Sequence, residues 1–449
     1  MSRHKALFFG FLSVVFAQAV AAQENRTGPR HITLEEAVQL AVKHNHAIKI
    51  AGYKVEEKEH AKSVARSSYF PILRNDSGVL RVTDFQFIGV PAGSLGNAGG
   101  TPIPTSSVVL SQGGQTFLTS GTSLTQPLMQ LLKVRSVNDM AREELTATRN
   151  KGRQTENTVA LGVHQIYYQV LIAQAHRAAI VAKIQASEDL HKERVEQVKY
   201  GSTLEEEAIE SRAQSLEAKQ DLLTTDLQLS DLMMQLNDAI GLPLTTQLVL
   251  DSGVKPVGET CEREECLRVA RETHPEIAEA RAEVEKAAAA VRLSKRDYLP
   301  DVEVFARYSY QNNVPFLARN FGSFGLHLGY EIFDGGKKRS AVREHSAQLA
   351  QARENLARVT DEVELGVLTA YNKLERTREM LKVSEELVTY RTEALRVLAQ
   401  QQQKGAALRS QLDAAAAREL DAKTMLLQSQ LQNVEAQDEM TQAMGFRPD

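Results

Sequence analysis

From Val342 onward, apolar residues recur at every seventh position: Val342, Leu349, Leu356, Val363 and Ala370, with a second column at Val367, Leu374, Leu381, Val388 and Leu395. Two seven-residue columns offset by four predict a narrow coiled-coil-like stripe along a long helix whose remaining faces are polar. Proline is absent from Val134 to Leu242 and from Phe316 to Arg447, so nothing interrupts such rods. At ~1.5 Å per residue the segment 128–199 alone would reach ~110 Å. The strong breakers inside the rods are Gly201 and Gly405, within Tyr200-Gly201-Ser202-Thr203 and Lys404-Gly405-Ala406-Ala407. A glycine there supplies the left-handed residue that ends one helix and reverses the chain. The pattern predicts two helical hairpins, 134–200 with 204–240 and 337–403 with 408–444.

Elsewhere the period changes to two. Val302, Val304, Ala306, Tyr308 and Tyr310 alternate with Glu303, Phe305, Arg307 and Ser309. Phe324, Leu326, Leu328, Tyr330 and Ile332 alternate with Gly325, His327, Gly329 and Glu331. Such runs predict strands with one apolar face, as in a membrane barrel or a one-sided soluble sheet. Earlier in the chain the alternation is blurred, with strands expected near 78–87 and 116–126. Four strands leave two open edges, which hydrocarbon does not tolerate. They are also too few to enclose a channel, so a membrane role requires several chains. Three chains would supply twelve strands.

These elements occur twice. Between Glu35 and Pro71 each residue has a counterpart 229 positions later: Glu35/Glu264, Ile48/Ile277, Val55/Val284, Tyr69/Tyr298, Pro71/Pro300. From about Leu128 to Gly241 the offset is 204: Lys133/Lys337, Leu145/Leu349, Val159/Val363, Tyr167/Tyr371, Gly201/Gly405, Gly241/Gly445. The shift arises from a Gly/Ser/Thr/Pro-rich excursion, 88–120, in the first copy. The layout is a tandem duplication, and it places the two tips side by side at one end.

Composition and charge locate the chain. Residues 1–22 combine Arg3, His4 and Lys5, an apolar run from Ala6 to Val15, and Ala19-Val20-Ala21-Ala22. That is the pattern of a secretory signal peptide. No cysteine follows the cleavage site to take a lipid anchor, and no later stretch approaches ~20 uncharged apolar residues. Loss of Arg3 and Lys5 would move the formal net charge from −4 to −6, which argues against nucleic acid as a partner.

Taken in order, Ile32-Thr-Leu-Glu-Glu-Ala37, Tyr69-Phe-Pro71, Ser123-Leu-Thr-Gln-Pro-Leu128, Tyr298-Leu-Pro300, Tyr330-Glu-Ile-Phe-Asp-Gly-Gly336, Ala239-Ile-Gly-Leu-Pro243 and Ala443-Met-Gly445 resemble the TolC-like outer-membrane efflux protein family. The resemblance covers about 32–445. It implies a mainly α fold with a membrane β-barrel. Long duplicated hairpins would form a periplasmic α-barrel, and four strands per chain would join a twelve-stranded trimeric β-barrel. The expected segments are a signal peptide (1–22), an N-terminal segment with a first equatorial helix (23–71), a first strand pair with an extracellular loop (72–127), a first hairpin (128–241), an equatorial segment and helix (242–300), a second strand pair (301–333) and a second hairpin (334–445). Helices 33–70 and 262–297, with segment 242–258, would form the equatorial girdle. Met129-Gln-Leu-Leu132 departs from Phe333-Asp-Gly-Gly336, so the first strand-to-helix bend is expected to differ.

The sequence carries none of the common catalytic motifs. Gly335-Gly336-Lys337-Lys338 lacks the first glycine and the hydroxyl of a phosphate loop, and neither G-x-S-x-G nor H-E-x-x-H occurs,. The close pair His44/His46 reads as a helix end rather than a metal site. No cofactor, metal or enzymatic activity is expected. Cys261 and Cys266, five apart in an oxidising compartment, have the spacing for a disulfide; their repeat partners Ile32 and Ala37 are ordinary apolar positions, so two buried thiols are the alternative. After the first tip come Glu205, Glu206, Glu207 and Glu210; after the second come Arg409 and Asp413. Acidic residues in a first turn stabilise a helix N-terminus, and a symmetric ring of carboxylates would set cation preference at a constriction.

The function expected from all this is a trimeric, passive outer-membrane exit duct. It would contact outer-membrane lipid and couple through a periplasmic adaptor to an inner-membrane transporter. Gly201, Ser202, Thr203, Gly405 and Ala406 would be the adaptor-docking tips, and Glu207, Glu210, Arg409 and Asp413 the candidate gate. The alternatives are the outer-membrane component of type I protein secretion and, from another class, a soluble periplasmic coiled-coil scaffold.

Overall fold

The computed structural model describes residues 30–83, 88–110, 115–253, 261–312 and 318–448. The expected signal peptide therefore lies outside the described residues, as do 84–87 of the first expected strand and 254–260 of the equatorial segment. Each copy opens with a short helix, α1 (Leu34–His44) or α5 (Arg263–Thr273), followed by a longer one, α2 (His46–Ser67) or α6 (Pro275–Arg296). The single equatorial helices expected over 33–70 and 262–297 are thus each broken in two. The breaks are Asn45 (ψ 132°) and His274 (ψ 127°), both extended and both capping the helix that follows. Asn45 Oδ1 accepts from the Ala47 amide at 2.8 Å, and His274 Nδ1 accepts from the Glu276 amide at 3.3 Å. Pro275 also disfavours helix at the residue before it.

Two short strands, β1 (Arg30–Ile32) and β8 (Leu248–Leu250), pair in parallel across the equator. Between α2 and the first hairpin run β2 (Ile72–Arg81), β3 (Ile88–Val90), β4 (Asn97–Ala98), β5 (Thr101–Pro102), β6 (Val108–Leu110) and β7 (Thr116–Pro127). The excursion thus contains two small antiparallel pairs, β3 with β6 and β4 with β5. The second copy supplies β9 (Asp301–Asn312) and β10 (Asn320–Gly329). One antiparallel sheet orders these as β10-β9-β7-β2, so β10 and β2 are its edges. Two limits differ from expectation. The first strand begins at Ile72 rather than near 78, and the last ends at Gly329, leaving Tyr330, Glu331 and Ile332 outside it.

The rods are α3 (Gln130–Lys199), α4 (Glu205–Ala239), α7 (Lys337–Gln403) and α8 (Arg409–Ala443). The heptad columns of α7 are all buried or half-buried, and Val363, Val367, Ala370 and Leu374 are fully so. The entries to the rods differ as the sequence departure implied. Asp334 accepts from the amides of Gly336 and Lys338, both at 2.8 Å, with Gly336 left-handed at φ 88°. The first rod starts after Met129 with no side-chain cap.

Two cores hold the equator. In the first, Ile32, Ala37, Ala41, Tyr167, Leu236 and Leu248 join α1, the two-stranded sheet and the first hairpin. The Tyr167 hydroxyl lies within hydrogen-bond distance of the carbonyls of Ile32 (3.1 Å) and Asp251 (2.8 Å), and burial pushes its pKa up to about 12. In the second, Cys266, Ala270, Ile277, Val367 and Met440 join α5, α6 and the second hairpin. Cys261 and Cys266 form a disulfide with Cα atoms 5.7 Å apart, which closes the start of α5.

The hairpin ends seat into the helix breaks. Gly241 (φ 71°) and Gly445 (φ 91°) end α4 and α8. A Cβ at Gly241 would lie 2.6 Å from His44 Cβ, and one at Gly445 would lie 2.6 Å from His274 Cα. Asn45 Nδ2 donates to the Ala239 carbonyl at 3.1 Å, and the Thr273 hydroxyl donates to that of Met444 at 2.9 Å. These side chains take up the carbonyls that a helix C-terminus leaves without partners.

Candidate functional site: the hairpin tips and the sheet

Both tips close in the same way. Ser202 N–H donates to Gln197 O and Gly201 N–H to Val198 O; in the second hairpin Ala406 N–H donates to Gln401 O and Gly405 N–H to Gln402 O, all at 2.9 Å. This pair of bonds around a left-handed glycine is the Schellman cap, with φ 68° at Gly201 and 73° at Gly405. A Cβ at either glycine meets open space. Position 405 therefore faces outward and requires glycine only for its backbone.

The candidate gate residues divide. Glu207 is paired with Arg194 of the same hairpin at 3.0 Å, and Glu210 accepts from Gln214 at 3.2 Å. Arg409 and Asp413 lie one turn apart on α8 at 3.7 Å. Each contact is made inside one hairpin. The acidic first turn of α4 has no side-chain cap, because its N-cap position is Leu204. The sequence reading missed Tyr200, Leu204 and Leu408, which stand exposed at the tips. Leucine at both N-cap positions, where Ser, Thr, Asp or Asn is preferred, was the available signal.

A groove of about 1120 Å³ runs between the hairpins behind the tips. Its walls include Leu190, Glu193 and Arg194 from the first hairpin and Ala406, Leu408 and Gln411 from the second. The first hairpin is laced across its two helices by Arg177–Asp226 (2.6 Å), Lys183–Asp221 (3.4 Å), Glu188–Lys219 (2.6 Å) and Arg194–Glu207 (3.0 Å). The second has one such ion pair, Lys373–Glu439 (2.7 Å), and is otherwise joined through hydroxyl groups: Ser384–Ser429 (2.8 Å), Thr392–Glu419 (3.3 Å) and Thr377–Asn433 (3.0 Å).

At the other end, the sheet register sets Leu326 opposite Val304, Leu328 opposite Val302 and Phe324 opposite Ala306 on one face. These large side chains stand free, Phe324 being 89 % exposed and Leu326 72 %. The other face carries Glu303, Arg307 and His327, with the Phe305 ring lying against Gly325. Arg319 stacks on Tyr310 at 5.6 Å near one end, and Lys338 on Tyr330 at 6.0 Å near the other. A strand of 10 residues such as β10, at ~3.4 Å per residue and ~45° tilt, rises ~24 Å, close to the ~25 Å apolar band of outer-membrane barrels. No described helix is long and apolar enough to cross a membrane.

Residues 266–446 match the model of a family described as outer membrane efflux protein. No curated protein matches the chain in sequence. Among solved structures, the CmeC outer membrane channel of Campylobacter jejuni superposes with a TM-score of 0.74 at 13% identity, over 93% of this chain and 86% of that one. VceC, an outer membrane protein of Vibrio cholerae, gives 0.71 at 14% identity, over 93% and 97%. The open state of the MtrE outer membrane channel of Neisseria gonorrhoeae gives 0.71 at 15%, over 93% and 89%. The second copy thus matches the outer membrane efflux protein family model, and nearly the whole chain shares the fold of these solved structures.

Proposed function

We propose that three copies close into one outer-membrane duct, the passive exit of a tripartite efflux system. The observation that carries this reading is unequal coverage of equivalent helices. Helix α6 packs against both α3 and α7, whereas its counterpart α2 packs against α3 and buries no residue. Tyr53 of α2 is 69 % exposed, while its equivalent Ala282 is 4 % exposed. Along α4, Ile209, Leu216, Leu223, Leu227 and Met234 form one exposed apolar stripe. Their equivalents on α8, Asp413, Leu420, Leu427, Leu431 and Asp438, are buried or half-buried. A next copy continuing the internal repeat would cover both surfaces and pair the open edges β2 and β10.

Chain number follows from strand number. Two copies would give eight strands, whose interior side chains fill, whereas twelve leave room for an aqueous lumen. A soluble scaffold would instead leave Phe324, Leu326 and Leu328 to water. Transport is powered elsewhere, by an inner-membrane pump reached through a periplasmic adaptor that docks on the tips and the groove beside them.

Detergent-solubilised protein should run as one species of three times the mature mass in light scattering; a folded monomer refutes the trimer. Gly405→Trp, which places a large side chain into the open space at the tip, should abolish export while trimer and outer-membrane level stay unchanged. Glu207→Gln with Glu210→Gln should weaken cation preference in planar bilayers. Unaltered export, selectivity and adaptor crosslinking would reduce the tip to a turn.

A further inference from the structure

The α3–α8 contact contains a polar cluster that the internal repeat does not reproduce. His164, fully buried, has Nδ1 2.6 Å from Asp438 Oδ2, and the Tyr168 hydroxyl donates to the same oxygen at 3.1 Å. The two rings meet edge-on at 5.9 Å, and Gln165 donates to Glu435 alongside at 3.1 Å. His164 Nε2 is buried and has no partner. At the equivalent positions the sequence has Leu368 for His164, Asn372 for Tyr168 and Met234 for Asp438. Leu368 lies on α7 and Met234 on α4, the surfaces left half-covered or bare in the single chain.

We propose that His164, Tyr168 and Asp438 form a pairing key: they make α3 accept α8 and reject α4 of a neighbouring copy, so that first and second hairpins alternate around the ring. This rests on the reading above that a next copy covers the exposed stripe of α4, which by the internal repeat it would do with its α7. By the internal repeat, a seam of α4 on a neighbour's α7 would have the helical geometry of α3 on α8, so shape alone would not tell them apart. Chemistry does. If α4 docked on α3, Met234 would face His164 and Tyr168 and strand both in an apolar contact. If α8 docked on the next copy's α7, Asp438 would face Leu368 in place of His164 and lose that partner, with Asn372 at the Tyr168 position as the one side-chain donor left to it,. Each wrong pairing strands polar groups that the right one satisfies, which is discrimination by penalty against the competitor.

The test uses cysteine pairs and a short bis-maleimide on the full chain in outer membranes, with the native Cys261–Cys266 bridge retained. Thr369→Cys with Asp231→Cys reports α7 against a neighbour's α4. Gln165→Cys with Asp231→Cys reports the wrong pairing, α3 against a neighbour's α4. With the key intact, the first pair should give covalent dimers and the second background alone. In His164→Leu/Asp438→Met, which installs the residues of the other seam, dimers from the second pair should rise at least tenfold. Transplanting the key, by Leu368→His/Met234→Asp with His164 and Asp438 retained, should raise them too, since every surface then satisfies every other. Background levels in both variants, with Thr369–Asp231 dimers still forming, would overturn the key and leave the trimer standing. Absence of Thr369–Asp231 dimers with the key intact would overturn both.

Discussion

The two strand pairs share a sheet and an ancestry, but their apolar-side faces are built differently. In the second pair that face is Val304, Ala306, Phe324 and Leu326; at the equivalent positions the first pair has Asn75, Ser77, Ser120 and Thr122. These four polar side chains bond to one another. Asn75 Nδ2 donates to Thr122 Oγ1 at 2.8 Å and to Ser120 at 3.3 Å, Ser77 donates to Asn75 Oδ1 at 2.8 Å, and Ser77 and Ser120 share a bond of 2.8 Å. The register places this network level with Tyr308 and Tyr310, where aromatic residues mark the bilayer interface. Leu73 and Leu124 follow on one side of it, and Val79 and Leu118 on the other. On the duct reading, a strand would face lipid either by being apolar or by satisfying its own polar groups.

Three variants sharpen this contrast. Leu326→Arg, in the middle of the apolar pair, should cost ~2–4 kcal/mol and sharply reduce assembled protein in the outer-membrane fraction. Asn75→Ala removes the hub of the network and leaves Ser77, Ser120 and Thr122 short of partners. It should lower stability by ~1 kcal/mol, seen as an earlier urea midpoint in liposomes. Replacing the whole network by its counterparts, Asn75→Val, Ser77→Ala, Ser120→Phe and Thr122→Leu, should be nearly neutral, because no partner is left behind. If the fourfold change proved as damaging as Leu326→Arg, the face would be reading a polar partner rather than tolerating lipid.

The same contrast explains what the sequence disclosed. Heptad columns and alternating apolar runs are legible because burial and lipid contact select side chains one at a time, and α7, β9 and β10 carry them openly. In β2 the selection acts on pairs 43 to 47 residues apart, so no local pattern records it, and the alternation marks the strand only from about 78 although it begins at Ile72. The breaks at Asn45 and His274 left only partial traces. Pro275 announces the second, whereas the first depends on Asn45 meeting Ala239 across the fold. Strands β1 and β8, three residues each, are too short to carry a period. At the tips, the turning glycines were readable from their place midway along each proline-free stretch, although Gly152, Gly162 and Gly366 lie inside the helices. The exposure of Tyr200, Leu204 and Leu408 depends on how the hairpins end in space. The His164 cluster was visible only as a mismatch between copies, polar in one and apolar in the other.

Gly241 and Gly445 seat the roots of the hairpins, and the hairpins pack on each other along α3 and α8, so together they act as a pair of coupled levers on the girdle. Helix α8, with 35 residues, extends ~52 Å from its seat at His274. Over that arm a rotation of ~10° at the root carries the free end ~9 Å, about the ~10 Å width of a helix. A displacement of ~1 Å in the girdle, acting ~6 Å from the pivot, is enough to produce such a rotation. The stiffness of this device resides in the rod, and its compliance in the few atoms around one glycine.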